Sequence, residues 1–286
     1  MRRQNLAAYL FLSPYLAIFI VFWAWPIVQS VYFSFLNTRV NPWRFQPSAN
    51  WGRLFADQAF YNALWNSIFF LVVQVPVMLA LATILALALN STVLKWRGIF
   101  RFAFFAPVVV GEVAYSAIFK LLFNGQFGAV NGILGTFGFT GPDWLNRPGT
   151  AWAVIIIAVT WRWTGYNAII ILAGLQSIPR ELYESAEVDG FSKLDQLRYI
   201  TLPLLVPVLT FAFVLSIIGS LQLFAEPYLI TNGGPGSATE TLGYFLYQSG
   251  FRTVNFGYAS AIAYTVAILA AVFSIIQISF FGRSRG

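Results

Sequence analysis

QAFYNALWNSIFFLVVQVPVMLALATILALALNSTVL, residues 58–94, runs for 37 positions without an Asp, Glu, Lys or Arg. A helix needs about 20 apolar residues to cross the hydrocarbon core of a bilayer, so this stretch holds one with room to spare. Working outward, three more charge-free stretches carry the same meaning: 35 residues over 4–38, 27 over 199–225 and 30 over 253–282. Two further apolar segments contain isolated charges. They are 98–123, with Arg101, Glu112 and Lys120, and 150–175, with Arg162. The pattern predicts six spanning helices near 8–36, 62–90, 98–123, 150–175, 204–230 and 258–282. They leave no second domain over, so residues 1–286 are expected to form a single transmembrane domain of the all-α membrane class.

Composition agrees. The chain is 58% hydrophobic and 9% charged, where a soluble domain carries about 25% charged residues. With 29 Phe, 13 Tyr and 10 Trp, there is more apolar surface than a soluble fold of 286 residues can hide. Cys and His are both absent. That excludes disulfides, thiol redox chemistry, the common zinc and haem sites, and histidine proton shuttles. Arg2 and Arg3 precede the first apolar run, but the run is far longer than a signal-peptide core of about 7–15 residues, and no A-x-A-like site closes it. An uncleaved first helix is expected.

Counting basic residues outside the spans sets the orientation. With the N-terminus inside, the cytoplasmic set is Arg2, Arg3, Lys95, Arg97, Arg101, Arg180, Lys193, Arg198, Arg283 and Arg285, against Arg39, Arg44, Arg53, Arg147 and Arg252 outside. The excess places both termini in the cytoplasm. It also accounts for the net charge of +7 without a nucleic-acid partner.

Of the long connections, 37–61, 124–149 and 231–257 fall outside and 176–203 inside. The inner one is punctuated for two short helices. Ser177 and Pro179 suit a helix start, Glu181 and Glu184 lie near its positive end, and Gly190 suits its C′ position. Ser192 with Asp195 can cap a second helix, and Pro203 is expected to stop it. Such a segment either lies on the membrane surface or docks a cytoplasmic partner.

A charge within a span usually faces a partner or a wet cavity. Arg162, between Trp161 and Trp163, and Glu112 are each near mid-span. They read either as a structural ion pair or as the lining of a pathway that includes substrate contact through Arg162. Glu226 and Lys120 lie nearer the outer ends and are expected to snorkel to the interface. Trp161, Trp163 and Tyr166 cluster about the arginine, an arrangement that suits a sugar ring with its apolar C–H faces and polar edges.

Catalytic motifs are missing. No G-x-x-x-x-G-K-[ST] is present to hold nucleotide phosphates, and no G-x-S-x-G; without His there is no triad. Glu184 and Glu187 are better read as a solvated face than as a catalytic pair. The chain reads as a passive membrane component that needs an engine elsewhere.

Glu184-Ser185-Ala186-Glu187-Val188-Asp189-Gly190, followed by Ile200-Thr201-Leu202-Pro203, resembles the EAA loop of binding-protein-dependent ABC importers. The family pattern is E-A-A, two residues, D-G and, about nine residues later, I-x-L-P. Ser185 replaces the second alanine and Phe191 a small residue. Three other stretches are similar to carbohydrate permeases of the maltose type: Ala49-Asn50-Trp51 through Asp57, Phe60 and Asn66-Ser67; Leu172 through Pro179; and Thr231-Asn232-Gly233-Gly234-Pro235 with Thr239-Glu240-Thr241-Leu242. The resemblance covers residues 12–282.

What the resemblance implies is a type I ABC importer permease in a bacterial inner membrane, multi-pass, with six spans and a cytoplasmic coupling helix pair in 177–203. A soluble extracytoplasmic binding protein would deliver a sugar to this chain and a second, related permease. Two ABC ATPase subunits, which would bind the ATP and magnesium, would drive alternating access, so this chain is expected to be no enzyme and to hold no cofactor or metal of its own. Glu184, Ala186, Asp189 and Gly190 would couple to an ATPase. By ungapped counting from Glu184, Arg162, Trp163, Tyr166, Ser216, Gly219 and Ser220 would contact the sugar, with Arg162 and Trp163 departing from the maltose pattern. Alternatives are a permease for glycerol-3-phosphate or another polyol-like solute, with Arg162 meeting the phosphate, and an ion-coupled secondary transporter.

Overall fold

The computed structural model describes residues 2–91 and 93–282, and almost everything in them is helical. Five helices are long and apolar enough to cross a membrane, Leu10–Ser34, Gln58–Asn90, Pro148–Gln176, Lys193–Leu221 and Phe256–Ser279. A bent pair, Arg97–Val109 with Glu112–Leu122, makes up to six. The chain divides into two compact units.

The first unit comprises Met1–Phe60 and Phe245–Ala267. Helix α1 (Arg2–Phe19) continues through a π-wound turn, Ile20–Ala24, into α2 (Trp25–Ser34). From Leu10 onward this rod is exposed along nearly its whole length. Its surface of Leu, Ile, Phe, Val and Trp is what lipid tolerates and water does not. A two-stranded antiparallel hairpin follows, β1 (Leu36–Asn37) against β2 (Arg44–Phe45), with Leu36 opposite Phe45. Then comes α3 (Pro47–Ala56), whose proline occupies the first turn, where a missing N–H costs nothing. Buried Asn50 donates to the carbonyls of Ser34 and Leu36 at 3.0 and 2.8 Å, tying α3 to the end of α2. The Tyr258 hydroxyl donates to Asp57 at 2.7 Å, and Arg53 lies 4.2 Å over the same ring.

The second unit comprises Tyr61–Tyr244 and Ile268–Gly286. Its core runs along α8 (Pro148–Gln176), the most buried of the spanning helices. One apolar cluster joins Ala168, Ile171, Leu172 and Leu175 of α8 to Ala82, Ala86 and Leu89 of α4 (Gln58–Asn90) and to Leu205 of α11 (Leu202–Leu221). A second joins Val154 and Ala158 to Tyr115, Phe119 and Phe123 at α6 (Glu112–Leu122). Small residues let these helices approach closely, as in membranes generally. The tightest approach is at Gly165, where a Cβ would lie 1.7 Å from the backbone oxygen of Phe104 on α5 (Arg97–Val109).

Two boundaries differ from the sequence-based expectation. The third span, expected as one helix over 98–123, is broken at Val110-Gly111, and α5 and α6 meet at 95°. Pro107 sits in the last turn of α5, three β-branched valines follow, and Gly111 ends the run. Each step favours extended backbone over helix, and Val110 and Gly111 adopt ψ of 129° and 143°. Nor does Pro203 stop the helix that begins after Ser192. The chain runs without interruption from Lys193 to Leu221, and the expected fifth span, 204–230, therefore starts earlier and ends nine residues sooner. In a regular α-wind the Pro203 ring would strike the carbonyl of residue 199. The helix widens instead to a π turn, Leu197–Thr201, where the Leu202 N–H reaches back to Leu197, and proline falls in the first turn of α11.

Candidate functional site: a membrane cavity with a buried ion cluster

Within the second unit, α4, α8, α11 and the segment after it enclose a cavity of about 290 Å³. All six residues expected to contact substrate line it: Arg162, Trp163 and Tyr166 from α8, and Ser216, Gly219 and Ser220 from α11. The placement follows from helical period. Positions 162, 163 and 166 share one face of α8, and 216, 219 and 220 one face of α11, while Leu223 reaches the cavity from beyond the end of α11. Trp163 and Tyr166 meet edge to face, with ring centroids 5.6 Å apart. The Ser216 hydroxyl donates to the Ala212 carbonyl at 2.8 Å, which leaves its oxygen to accept a further bond.

The lining also includes Phe70, Gln74 and Met78 of α4, Asn167 of α8, and Glu112 and Glu226. Gln74 and Asn167 are functional candidates that the sequence reading passed over. The available signal was an amide side chain in the middle of an apolar span. Gln74 reaches Thr160 at 3.4 Å, and Asn167 donates to the Trp163 carbonyl at 3.0 Å.

The charges form one cluster. Arg162 lies 3.2 Å from Glu112 and 3.9 Å from Glu226, with its own side chain 9% exposed. The Glu226 side chain is 5% exposed and that of Glu112 is 55%. Tyr115 donates its hydroxyl to Glu226, and the Arg162 guanidinium lies 4.8 Å over the Tyr115 ring and 5.5 Å over that of Trp163. The expected Arg162–Glu112 ion pair is present, and both residues also line the cavity. Glu226 overturns the snorkelling expectation. The helix ends at Leu221, so the following segment turns inward, and the buried carboxylate is held by Arg162 and Tyr115 rather than by water. The break at Val110-Gly111 also matters here. It makes Glu112 the first residue of α6, where unpaired N–H groups and the helix dipole favour a carboxylate.

The inner connection folds into α9 (Arg180–Val188) and α10 (Lys193–Gln196). Helix α9 ends in a Schellman motif: Phe191 N–H to the Ala186 carbonyl at 2.9 Å and Gly190 N–H to that of Glu187 at 3.2 Å, with Gly190 at φ +82°. Ser192 and Asp195 form a complete capping box at the start of α10. Lys193 bonds Glu187 across the turn and holds its carboxyl below the usual range. Glu184, Asp189 and Gly190 are exposed, whereas Ala186 is buried. Tyr183 anchors α9 through a 2.9 Å bond to Thr201. The Ser177 hydroxyl serves the end of α8, donating to the Gly174 carbonyl at 2.8 Å, so α9 begins after Pro179 without a side-chain cap.

A family model described as binding-protein-dependent transport system inner membrane component matches residues 5–283. The chain belongs to this family. Family members are permeases, integral to the inner membrane. This permease is 41% identical over 281 residues to the lactose transport system permease protein LacF of Rhizobium radiobacter, covering 96% of this chain and 94% of the relative. It is 34% identical to the arabinooligosaccharides transport system permease protein AraP of Bacillus subtilis, over 99% and 91% of the two chains. Among solved structures it resembles a bacterial ABC transporter involved in the import of the acidic polysaccharide alginate. The TM-score is 0.88 at 22% identity, over 99% of this chain and 98% of that one. The shared fold is thus that of an ABC importer permease.

Proposed function

We propose that this permease carries a sugar across the inner membrane through the cavity between α4, α8 and α11. The observation that carries the reading is the cavity's lining: two aromatic rings set edge to face beside Gln74, Asn167, Ser216 and Ser220, the mixture that a sugar's C–H faces and hydroxyl edges require. The names of its relatives, transporters of lactose and arabinooligosaccharides, support the same class of cargo. Arg162, Trp163, Tyr166, Ser216, Gly219 and Ser220 are the proposed contacts.

In this reading the chain acts as one permease domain with six spans, α5 and α6 together forming the third, and with both termini cytoplasmic. It works beside a second, related permease and receives its cargo from an extracytoplasmic binding protein. Two separate ATPase subunits bind ATP and magnesium, and this chain needs no cofactor. The α9–α10 pair is the ATPase dock. Glu184, Asp189 and Gly190 present the contact, and the small Ala186 lets α9 seat on the permease's own body.

The test is uptake by the assembled importer in proteoliposomes. Trp163→Ala and Tyr166→Ala should each lower sugar uptake about fivefold, because aromatic packing on a ring is worth about 1 kcal/mol, and the ATPases should still co-purify. Glu184→Lys with Gly190→Val should instead lose the ATPases. Uptake unaffected by both aromatic changes would refute the cavity as the sugar path.

A further inference from the structure

The cavity's charge inventory is small. Among the described residues, Arg162 is the one cation in the lining, and Glu112 and Glu226 are its two carboxylates. Both carboxylates are turned on that arginine, at 3.2 and 3.9 Å. With Glu226 ionised the cluster carries one net negative charge, and with Glu226 protonated it is neutral. In neither state does the lining offer an unmatched positive charge. Glu112 is the member left half-open to the cavity, while Glu226 is enclosed by Tyr115 and Arg162.

We propose that this cluster is a charge filter that admits neutral and amine-bearing sugars and rejects acidic ones, with Glu112 as the discriminating residue. The inference rests on the sugar-path reading above. A carboxylate, sulfonate or phosphate entering a space of about 290 Å³ must either displace Glu112 from Arg162 or settle beside it. Displacement leaves Glu112 without its cation. Settling beside it puts the new anion, stripped of its water, next to a cluster that offers no net positive charge to offset that loss. A hydroxyl meets neither penalty, and an amine finds an acceptor on the open side of Glu112. The same pairing argues against a phosphate ester as cargo, since the positive charge that would attract it is already matched by Glu112 and Glu226. The fold alone does not impose this choice, because a structure of the same fold is involved in importing an acidic polysaccharide.

The experiment measures equilibrium binding to the purified importer complex, without the binding protein, so that upstream selection plays no part. The probes are lactose, maltose and trehalose, each beside its C6-carboxylate form. At least one neutral sugar should bind at least tenfold more tightly than its acid. Glu112→Gln should shrink that ratio about tenfold, while Glu112→Asp preserves it. Equal affinities for neutral sugar and acid, or a ratio unmoved by Glu112→Gln in an intact complex, overturn the filter and leave the sugar path standing. If Glu112→Gln does not assemble, the wild-type ratio decides alone. If no neutral sugar binds and Trp163→Ala leaves uptake intact, the sugar path falls and the filter with it.

Discussion

Replacing Arg162 by Gln removes the one cation from a cluster with two carboxylates, and the cost can be worked from the distances. Glu226 is 5% exposed and lies 3.9 Å from the guanidinium. At an effective dielectric of about 20 such a pair is worth about 4 kcal/mol. Glu112 is closer, at 3.2 Å, but 55% exposed, so screening brings its share below about 1 kcal/mol. The loss is therefore dominated by leaving Glu226 buried with only the Tyr115 hydroxyl, and about 3–5 kcal/mol is expected for an orphaned buried charge. If so, neutralising the orphan should repair the damage, and Arg162→Gln with Glu226→Gln should recover more than half of the lost stability. The assay is SDS titration of the purified permease in mixed micelles, followed by tryptophan fluorescence, across the full double-mutant cycle. A double variant that loses the sum of its single losses would refute the charge argument, as would an Arg162→Gln variant within about 1 kcal/mol of the parent.

Gly165→Ala places a methyl group 1.7 Å from the Phe104 carbonyl. It should cost about 1–3 kcal/mol by the same titration as α5 is pushed from α8, and Gly165→Ser should be no better. Ser192→Ala deletes the hydroxyl half of the α10 capping box and should lose about 1 kcal/mol, seen as faster amide exchange at Asp195. Glu187 should titrate below the ordinary value of 4.5, because Lys193 bonds and attracts its ionised form. The turn's stabilisation is then complete above that value and is lost as pH falls through the lower, folded one. Carboxyl NMR should show this, with Lys193→Met returning Glu187 to the ordinary range.

The long spans were legible because a bilayer enforces one rule, a run of apolar residues without charge, and residues 58–94 obey it without exception. The α9–α10 turn was legible for a different reason: Gly190, Ser192 and Asp195 act on their own neighbours, so local chemistry decides the geometry. The misplaced features are those settled by competition between terms. Pro203 carries a stop signal, yet one π turn absorbs its ring and the helix survives. The 98–123 segment carries a span's composition, yet Pro107, three valines and Gly111 together outweigh it. Glu226 looked interfacial by its position in the chain, and only the inward turn after Leu221 shows that it is buried. Gln74 was invisible for want of a partner in sequence: an amide in a charge-free run gains meaning only beside Thr160 and the aromatic pair on α8.

The places where helix geometry fails are also the places that build the site. Arg162 sits in the middle of an unbroken helix and cannot move far, since Gly165 one turn on is pressed against α5. Each of its partners comes from a discontinuity, Glu112 from the elbow between α5 and α6 and Glu226 from the turn after α11. A straight third span would put Glu112 inside a continuous hydrogen-bond ladder, without a helix N-terminus to favour its charge. An α11 that continued to residue 230 would keep Glu226 on the regular spiral of that helix. The cluster thus ties one continuous helix to two segments at breaks in the helical backbone, and all three line the cavity. A movement that opened the elbow or swung the 222–226 segment away from α8 would lengthen an ion pair on Arg162. Arg162 variants should therefore change the rate of transport as well as the choice of cargo, measured as uptake by the assembled importer.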